Sequence, residues 1–213
     1  MRSALLAFGA GLLLIVACVY LVDDPLARFV HTLPWARSLR APALGLPVLV
    51  VSAGFAILLG AFQVSTHHAL KKLQEVLIVA SFSLASAVCV DELVLKRLFG
   101  REMPDEFLQG GTDAFHWFQG TPFSSFPSGH ATQIVSVGTV FLIAYPRQRP
   151  VWLTFMGLIL IVLVLGNWHF VSDVLAGAGW GVIAGTATMV LWRSKSQLRA
   201  PREKVKDCGQ DFL

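Results

Sequence analysis

Charged residues are scarce in this chain: Asp, Glu, Lys and Arg make up 14% of its 213 residues, while 55% are hydrophobic. Soluble domains carry about 25% charged residues, so this scarcity excludes an ordinary soluble globular protein. Cysteine is rare as well, and the spacing of Cys18, Cys89 and Cys208 is typical of neither a disulfide framework nor a zinc site. Lipid is therefore the expected solvent for most of the chain.

Six apolar stretches are long enough to be candidate membrane spans. A hydrocarbon core about 30 Å thick requires roughly 20 apolar residues in a helix. The stretches are Ala4 to Val22, Pro42 to Val64, Glu75 to Val94, His130 to Tyr145, Trp152 to Trp168 and Val174 to Trp192. We predict an all-α integral membrane bundle of six helices over residues 1–193, in contact with the bilayer, and a basic cytoplasmic tail over residues 194–213.

The distribution of Lys and Arg predicts the orientation of this bundle. With six spans both chain ends share a compartment, and that side holds eleven Lys and Arg residues against six on the other. Basic residues favour the cytoplasmic side, so both ends are expected in the cytoplasm of a bacterial inner-membrane protein. The net charge of +4 then reflects topology and anionic lipid rather than nucleic acid. Whether the tail binds lipid or is merely solvated stays open.

A short segment after the first span begins with Asp23-Asp24-Pro25, which is a helix-start signal. Apolar residues follow at helical spacing: Leu26, Phe29, Val30 and Leu33. This pattern predicts a helix that lies flat on the outer interface of the membrane.

Three polar clusters are predicted on the same, outer side of the membrane. The first begins at Asp91-Glu92, near the end of the third span, and includes Lys96. Ionisable groups close to a bilayer are costly and usually have a task. Glu92 and Lys96 are four residues apart, so a helix brings them within reach of an ion pair. The alternative interpretation is a helix end whose charged side chains reach for water.

The second cluster is Pro127-Ser128-Gly129-His130, immediately before an apolar stretch. Glycine allows a ligand to approach the backbone closely, and the first turn of a helix offers free N–H groups to an anion. Such a turn suits a phosphate group. Ser128 adds a hydroxyl, and His130 can donate a proton to a leaving group.

The third cluster is His169 and Asp173, four residues apart. This spacing predicts one helical face, on which the carboxylate holds one imidazole nitrogen and leaves the other as a nucleophile. Gly177, Gly181 and Gly185 continue the face. Small residues at this spacing let helices pack closely in lipid, so the His169 and Asp173 side chains are expected to point into the bundle.

In this order and on these loops, the clusters resemble the type 2 phosphatidic acid phosphatase superfamily, which also includes vanadium haloperoxidases and enzymes that transfer lipid head groups. The family's first motif is a lysine followed seven residues later by Arg-Pro, and its second is Pro-Ser-Gly-His. The third is Ser-Arg, five residues, His, three residues and Asp. The resemblance covers roughly Val94 to Gly185, with the second motif intact and the third retaining its His and Asp.

The resemblance implies a ping-pong reaction that needs neither metal nor other cofactor. His169 would attack phosphorus, Asp173 would orient it, and His130 would protonate the departing oxygen. Lys96, Ser128 and the backbone of Gly129 would bind the non-bridging oxygens. The implied substrate is a membrane lipid that carries a phosphomonoester or a diphosphate.

Two arginines of the family pattern are missing: Met103 occupies the first position, and Val162-Leu163 replaces the Ser-Arg pair. Charge-assisted hydrogen bonds contribute about 1.5–3 kcal/mol each, so these losses withhold roughly 3–6 kcal/mol from a bound phosphate. Arg101, in the same loop as Met103, is the expected substitute for phosphate binding, and His116 is a further candidate.

Three alternatives stay open. A phosphodiester carries about one negative charge, against about −1.5 to −2 for a monoester, so the missing arginines favour a head-group transferase or phosphodiesterase resembling sphingomyelin synthase. They also permit a non-catalytic lipid-binding relative. By ligand type, His130, His169 and Asp173 permit a metal site. Lipid phosphatase stands first because Lys96 and Arg101 remain.

Overall fold

Residues 2–36, 39, 72–121 and 124–207 are described by a computed structural model of the protein, without the side chains of residues 3, 4 and 195–207. In these ranges the regular secondary structure is helical, apart from an isolated bridge between Arg101 and Phe115. The helices are α1 (Arg2–Leu21), α2 (Asp23–His31), α3 (Lys72–Val90), α4 (Lys96–Phe99), α5 (Pro104–Leu108), α6 (Gly129–Ala144), α7 (Arg149–Leu165) and α8 (Val171–Asp207).

Three helical segments are long and apolar enough to cross a membrane: Lys72–Phe99, Pro146–Leu165 and Val171–Ser194. A fourth span results if α1 and α2, which are bent by 54°, are taken together. Helix α6 is apolar but shorter. The predicted second span, residues 42–64, lies outside the described residues. The all-helical membrane architecture is thus confirmed, whereas the count of six spans and the orientation stay predictions.

The contact between α6 and α8 is the most extensive helix pairing in the described bundle. Gly177, Gly181 and Gly185 of α8 all lie against α6, and a methyl group on Gly181 would come within 2.9 Å of the Thr132 carbonyl oxygen. The predicted packing role of this glycine face is confirmed. Close approach matters here because association of helices in lipid relies on van der Waals contact rather than on the hydrophobic effect.

Gly177→Ala is expected to destabilise the protein by about 1–3 kcal/mol more than Gly179→Ala. A Cβ atom on Gly177 would lie 2.4 Å from the Ser128 carbonyl oxygen, whereas one on Gly179 would meet nothing within 4 Å. Both changes add the same methyl group to the same helix, so helix propensity cancels between them. Unfolding of both purified variants in one detergent measures the difference. Equal stability would contradict the close contact.

Helix α2 forms where the sequence predicted it, but its buried face consists of Asp23, Ala27 and Val30. Phe29 is exposed, as an interfacial helix requires, while the small Ala27 side chain packs against Phe107 and Phe170. The side-chain amide of Asn167 donates to the Ala27 carbonyl oxygen at 3.0 Å. Helix α2 is therefore anchored to the bundle and does not only lie on its surface.

A π-helical turn, Asp91–Leu95, joins α3 to α4. Gly100 is the C-cap residue that follows α4. Gly100 has φ +50°, and a side chain there would collide with the His116 carbonyl oxygen at 2.4 Å. Only glycine accepts both the left-handed conformation and this approach. The turn directs the next residue, Arg101, back into the interior, where it is 1% exposed.

Candidate active site

Two histidines from distant parts of the sequence meet at one end of the bundle. His130 lies in the first turn of α6, and His169 lies between α7 and α8. His130 Nδ1 and His169 Nε2 are 3.1 Å apart. His169 is buried at 2% exposure, whereas His130 is half-buried. The predicted convergence of the two imidazoles is thus present, whereas a space for phosphate between them stays a prediction.

The other nitrogen of His169, Nδ1, lies near both Asp173 and a serine, Ser125. His169 Nδ1 is 3.3 Å from Ser125 Oγ, and that hydroxyl donates a hydrogen bond to Asp173 Oδ2. The direct distance from His169 Nδ1 to Asp173 Oδ2 is 3.8 Å, which exceeds a hydrogen bond. The predicted pairing of His169 with Asp173 is therefore present at ion-pair distance, and the Ser125 hydroxyl, which the sequence did not predict, contacts both groups.

His169 does not share a helical face with Asp173, because α8 begins only at Val171. Asp173 instead occupies the first turn of α8, where its Oδ2 atom accepts a hydrogen bond from the Phe170 backbone N–H at 2.9 Å. A carboxylate in this position satisfies an otherwise free N–H and interacts favourably with the helix dipole. His169 therefore stands on the turn before the helix, while Asp173 is fixed by the helix start.

Arg101 occupies the interior beside this pair, although its predicted role was phosphate binding. Its Nη1 atom donates to Asp173 Oδ1 at 2.8 Å, to Ser172 Oγ at 2.8 Å and to Asp23 Oδ2 at 2.9 Å. Its Nε atom donates to the Asp113 carbonyl oxygen at 3.1 Å. Of the three nitrogens of this guanidinium, Nη2 alone has no hydrogen-bond partner among the described residues. The observed contacts of Arg101 are thus with carboxylates, and a direct contact with phosphate stays a prediction.

The Arg101 guanidinium is also packed between aromatic rings, with its central carbon 4.0 Å from the Phe170 ring centre and 5.1 Å from that of Phe115. Such stacking is favourable for a planar, weakly hydrated cation. The side chains of Arg101, Asp23 and Asp173 all have 0% exposure. One buried cation therefore serves two buried carboxylates.

The Pro-Ser-Gly-His segment forms the start of α6, as predicted. Ser128 is the N-cap residue, and its hydroxyl oxygen accepts a hydrogen bond from the Ala131 backbone N–H at 3.3 Å. The Ser128 backbone N–H donates to the Asp173 carbonyl oxygen at 3.0 Å, which joins this turn to α8. The cap role of Ser128 is structural; its contact with phosphate, like that of the Gly129 backbone, stays a prediction.

Lys96 reaches the same turn from α4. Its Nζ atom lies 2.7 Å from Glu92 Oε1, so the predicted ion pair is present. A methyl group on Gly129 would lie 3.2 Å from Lys96 Nζ and 3.1 Å from Asp91 Oδ2. The ammonium group is therefore held beside the glycine turn, where a negatively charged ligand of that turn would meet it.

His116 lies apart from the histidine pair. It is exposed and borders an open cavity of about 210 Å³, together with Gln119, Thr121 and part of Arg101. Its backbone N–H donates to the Gly100 carbonyl oxygen at 2.9 Å. Over the described ranges, no three His, Cys, Asp or Glu side chains are grouped as metal ligands.

The arrangement has the parts of a phosphoryl-transfer site. A hydrogen-bonded Nδ1 leaves His169 Nε2 with a lone pair for attack, and the neighbouring imidazole of His130 can supply a proton. The start of α6 and Lys96 would provide a positive region for an anionic ligand. Sequence reasoning identified these groups but missed Ser125, Asp23 and Ser172. Two of these residues lie next to motifs: Ser125 is three residues before Ser128, and Ser172 directly precedes Asp173.

Part of this chain matches a known protein family and several curated proteins. The model of the PAP2 superfamily matches residues 76–197, which is more than half of the chain. A protein named lipid A 1-phosphatase from Rhizobium johnstonii is 33% identical over 100 residues, covering 46% of this chain and 41% of the relative. Its namesake in Rhizobium etli is 36% identical over 89 residues, covering 41% of this chain and 38% of the relative.

A further protein of that name, from Porphyromonas gingivalis, is 32% identical over 95 residues, covering 42% of this chain and 18% of the relative. The matches thus span less than half the length of each of these curated relatives. No solved structure matches the chain. The family model includes Lys96, His130, His169 and Asp173 but not α1 or α2. By this match the chain belongs to the PAP2 superfamily, the family of type 2 phosphatidic acid phosphatases.

Proposed function

We propose that this protein is a membrane phosphatase that removes phosphate from a lipid phosphomonoester or diphosphate through a phosphohistidine. The observation that carries the proposal is the 3.1 Å approach of His130 Nδ1 to His169 Nε2, with Ser125 and Asp173 behind His169. A nucleophilic imidazole must be held in one orientation, and the departing oxygen must receive a proton from a nearby acid.

In the first step, His169 Nε2 attacks phosphorus, the bond from phosphorus to the lipid oxygen breaks, and His130 gives its proton to that oxygen. In the second step, water attacks the phosphohistidine and gives a proton to His130, and inorganic phosphate leaves. Lys96 and the backbone at Gly129 stabilise the charge on the non-bridging oxygens. Both histidines then return to their starting state.

The relatives suggest the first substrate to test, since three of them are named for the 1-phosphate of lipid A. We propose lipid A as that substrate, on the periplasmic face of a bacterial inner membrane. Helices α1, α3, α7 and α8 would hold the site at the level of lipid head groups, where exposed side chains such as Trp117 and Phe118 suit the interface.

A second candidate is a head-group transferase or phosphodiesterase. The charge of Arg101 is shared by Asp23 and Asp173, so Lys96 supplies most of the positive charge near the glycine turn. A phosphodiester, with about one negative charge against nearly two for a monoester, requires fewer cations. This observation keeps the transferase in consideration beside the phosphatase.

Product analysis separates the two candidates. Purified protein in detergent is incubated with phosphorus-labelled lipid A, phosphatidate or a polyprenyl diphosphate, with and without a mixture of acceptor lipids. We expect inorganic phosphate to be released from at least one of these lipids without an acceptor. Label that moves only to an acceptor lipid would support the transferase, and no reaction with any lipid would contradict both.

A further inference from the structure

Asp23 lies outside the part of the chain that the family model matches, residues 76–197. It is the first residue of α2, directly after the bend between α1 and α2. Its side chain has 0% exposure. Burying a carboxylate is costly unless it is paired and hydrogen-bonded, so its partners indicate what the position is for.

Three of the groups that hold Asp23 belong to the active-site region. Asp23 Oδ2 accepts from Arg101 Nη1 at 2.9 Å and from the Ser172 hydroxyl, and Oδ1 accepts from the Ser172 backbone N–H at 3.1 Å. Ser172 is adjacent to Asp173 in the first turn of α8. Asp23 therefore fixes both the cation that holds Asp173 and the backbone that carries it.

The contacts form one path from α2 to the nucleophile. Asp23 holds Arg101, and Arg101 Nη1 donates to Asp173 Oδ1 at 2.8 Å. The second oxygen of Asp173 accepts from Ser125, whose hydroxyl lies 3.3 Å from His169 Nδ1. Each of these residues is buried, so water cannot replace a hydrogen bond that is lost when Asp23 is changed.

Charge gives the path a second role. A guanidinium paired with Asp173 alone would form a neutral pair, and Asp173 would then attract positive charge on His169 less strongly. With Asp23 ionised, the two carboxylates and one guanidinium carry one net negative charge. That charge stabilises the positive charge that develops on His169 when its Nε2 atom bonds to phosphorus, because electrostatic interactions are strong in a buried site.

We infer that Asp23 is a positioning residue for catalysis, supplied by the N-terminal helices, that acts through Arg101 to orient Asp173 and to keep its negative charge available to His169. This inference rests on the proposed phosphohistidine reaction. It assigns a positioning task in the reaction to the bend between α1 and α2.

Asp23→Asn tests the inference, because the amide keeps an oxygen for the Ser172 N–H but loses the negative charge. We expect kcat to fall about 100-fold, the order of loss that a slight misplacement of reacting groups produces, with KM within about threefold. Stability in detergent should fall as well, because the amide nitrogen that replaces Oδ2 cannot accept hydrogen bonds from Arg101 and Ser172. Asp24→Asn is the matched control, since Asp24 is about half exposed and pairs with Arg28 on the surface; it should retain the parental kcat.

Rapid-quench formation of phosphohistidine, stopped in alkali, separates the two explanations, because the number of active molecules sets its amplitude and not its rate constant. If Asp23 were only structural, Asp23→Asn would lower the amplitude and leave the rate constant at the parental value; that result would overturn the inference. Should Asp23→Asn not fold, Ser172→Ala removes the hydroxyl that bridges Asp23 and Arg101, and kcat per site should fall about tenfold with KM preserved. An unaltered kcat would again overturn it. Absence of phosphate release by the unmodified protein would instead contradict the proposed function.

Discussion

Replacing His169 with alanine is expected to abolish phosphate release, by on the order of 10⁵-fold, because the change removes the nitrogen that is proposed to attack phosphorus. His169 Nε2 faces His130, and its Nδ1 atom is held by Ser125. Release is measured with the labelled lipid that the unmodified protein hydrolyses. His31→Ala, at an exposed position of α2, is the control and should leave release unchanged.

The two histidines are expected to respond differently to the leaving group. His130 protonates the departing lipid oxygen, so His130→Ala should recover much of its activity on an aryl phosphate whose phenolate leaves without a proton. His169→Ala should remain inactive on the same compound. Recovery of both variants, or undiminished phosphate release by His169→Ala, would contradict the assigned roles.

The second large effect is expected at Arg101. Arg101→Met leaves Asp23 and Asp173 buried without their cation, a loss that costs about 3–5 kcal/mol in the free energy of unfolding. Activity should also fall steeply, because Asp173 loses the group that holds its Oδ1 atom. Unfolding in detergent and phosphate release measure the two effects.

Arg101→Lys is expected to lie between Arg101→Met and the parental protein. Lysine keeps the charge, but a single ammonium cannot reproduce the planar contacts to Asp23, Asp173 and the Asp113 carbonyl oxygen. Arg97→Met, at a neighbouring exposed position, removes the same charge from the surface and should change stability by less than about 0.5 kcal/mol. Equal stability of Arg101→Met and Arg97→Met would show that the buried cation is not required.

Several elements could be predicted from the sequence because their signals are local. Apolar stretches of span length indicated the helices, and the glycine face of α8 indicated tight packing, which Gly177 and Gly181 show. The Ser-Gly-His start of α6 and the Glu92–Lys96 pair depend on residues within one helical turn. In each case the signal comes from residues that are close in sequence, so their spacing alone supports the prediction.

The role of Arg101 could not be predicted in the same way. The family pattern directed attention to phosphate, and the sequence offered no sign that two carboxylates compete for this guanidinium. One of them, Asp23, lies 78 positions away. Asp23 and Asp24 are equivalent as letters in a helix-start signal, yet the first is buried and the second is about half exposed. Which of them points inward depends on the bend between α1 and α2.

By itself, the sequence determined that this is a helical membrane protein with a histidine pair and a lysine at one end, since period, length and motif order fix these features. The tertiary structure alone decided that Ser125 contacts both His169 and Asp173, and that Arg101 joins Asp173 to Asp23. The physical reason is burial, because a charge in the interior must be paired with whatever groups the fold brings next to it. Those groups can lie anywhere along the chain, so their spacing in the sequence does not predict the pairing.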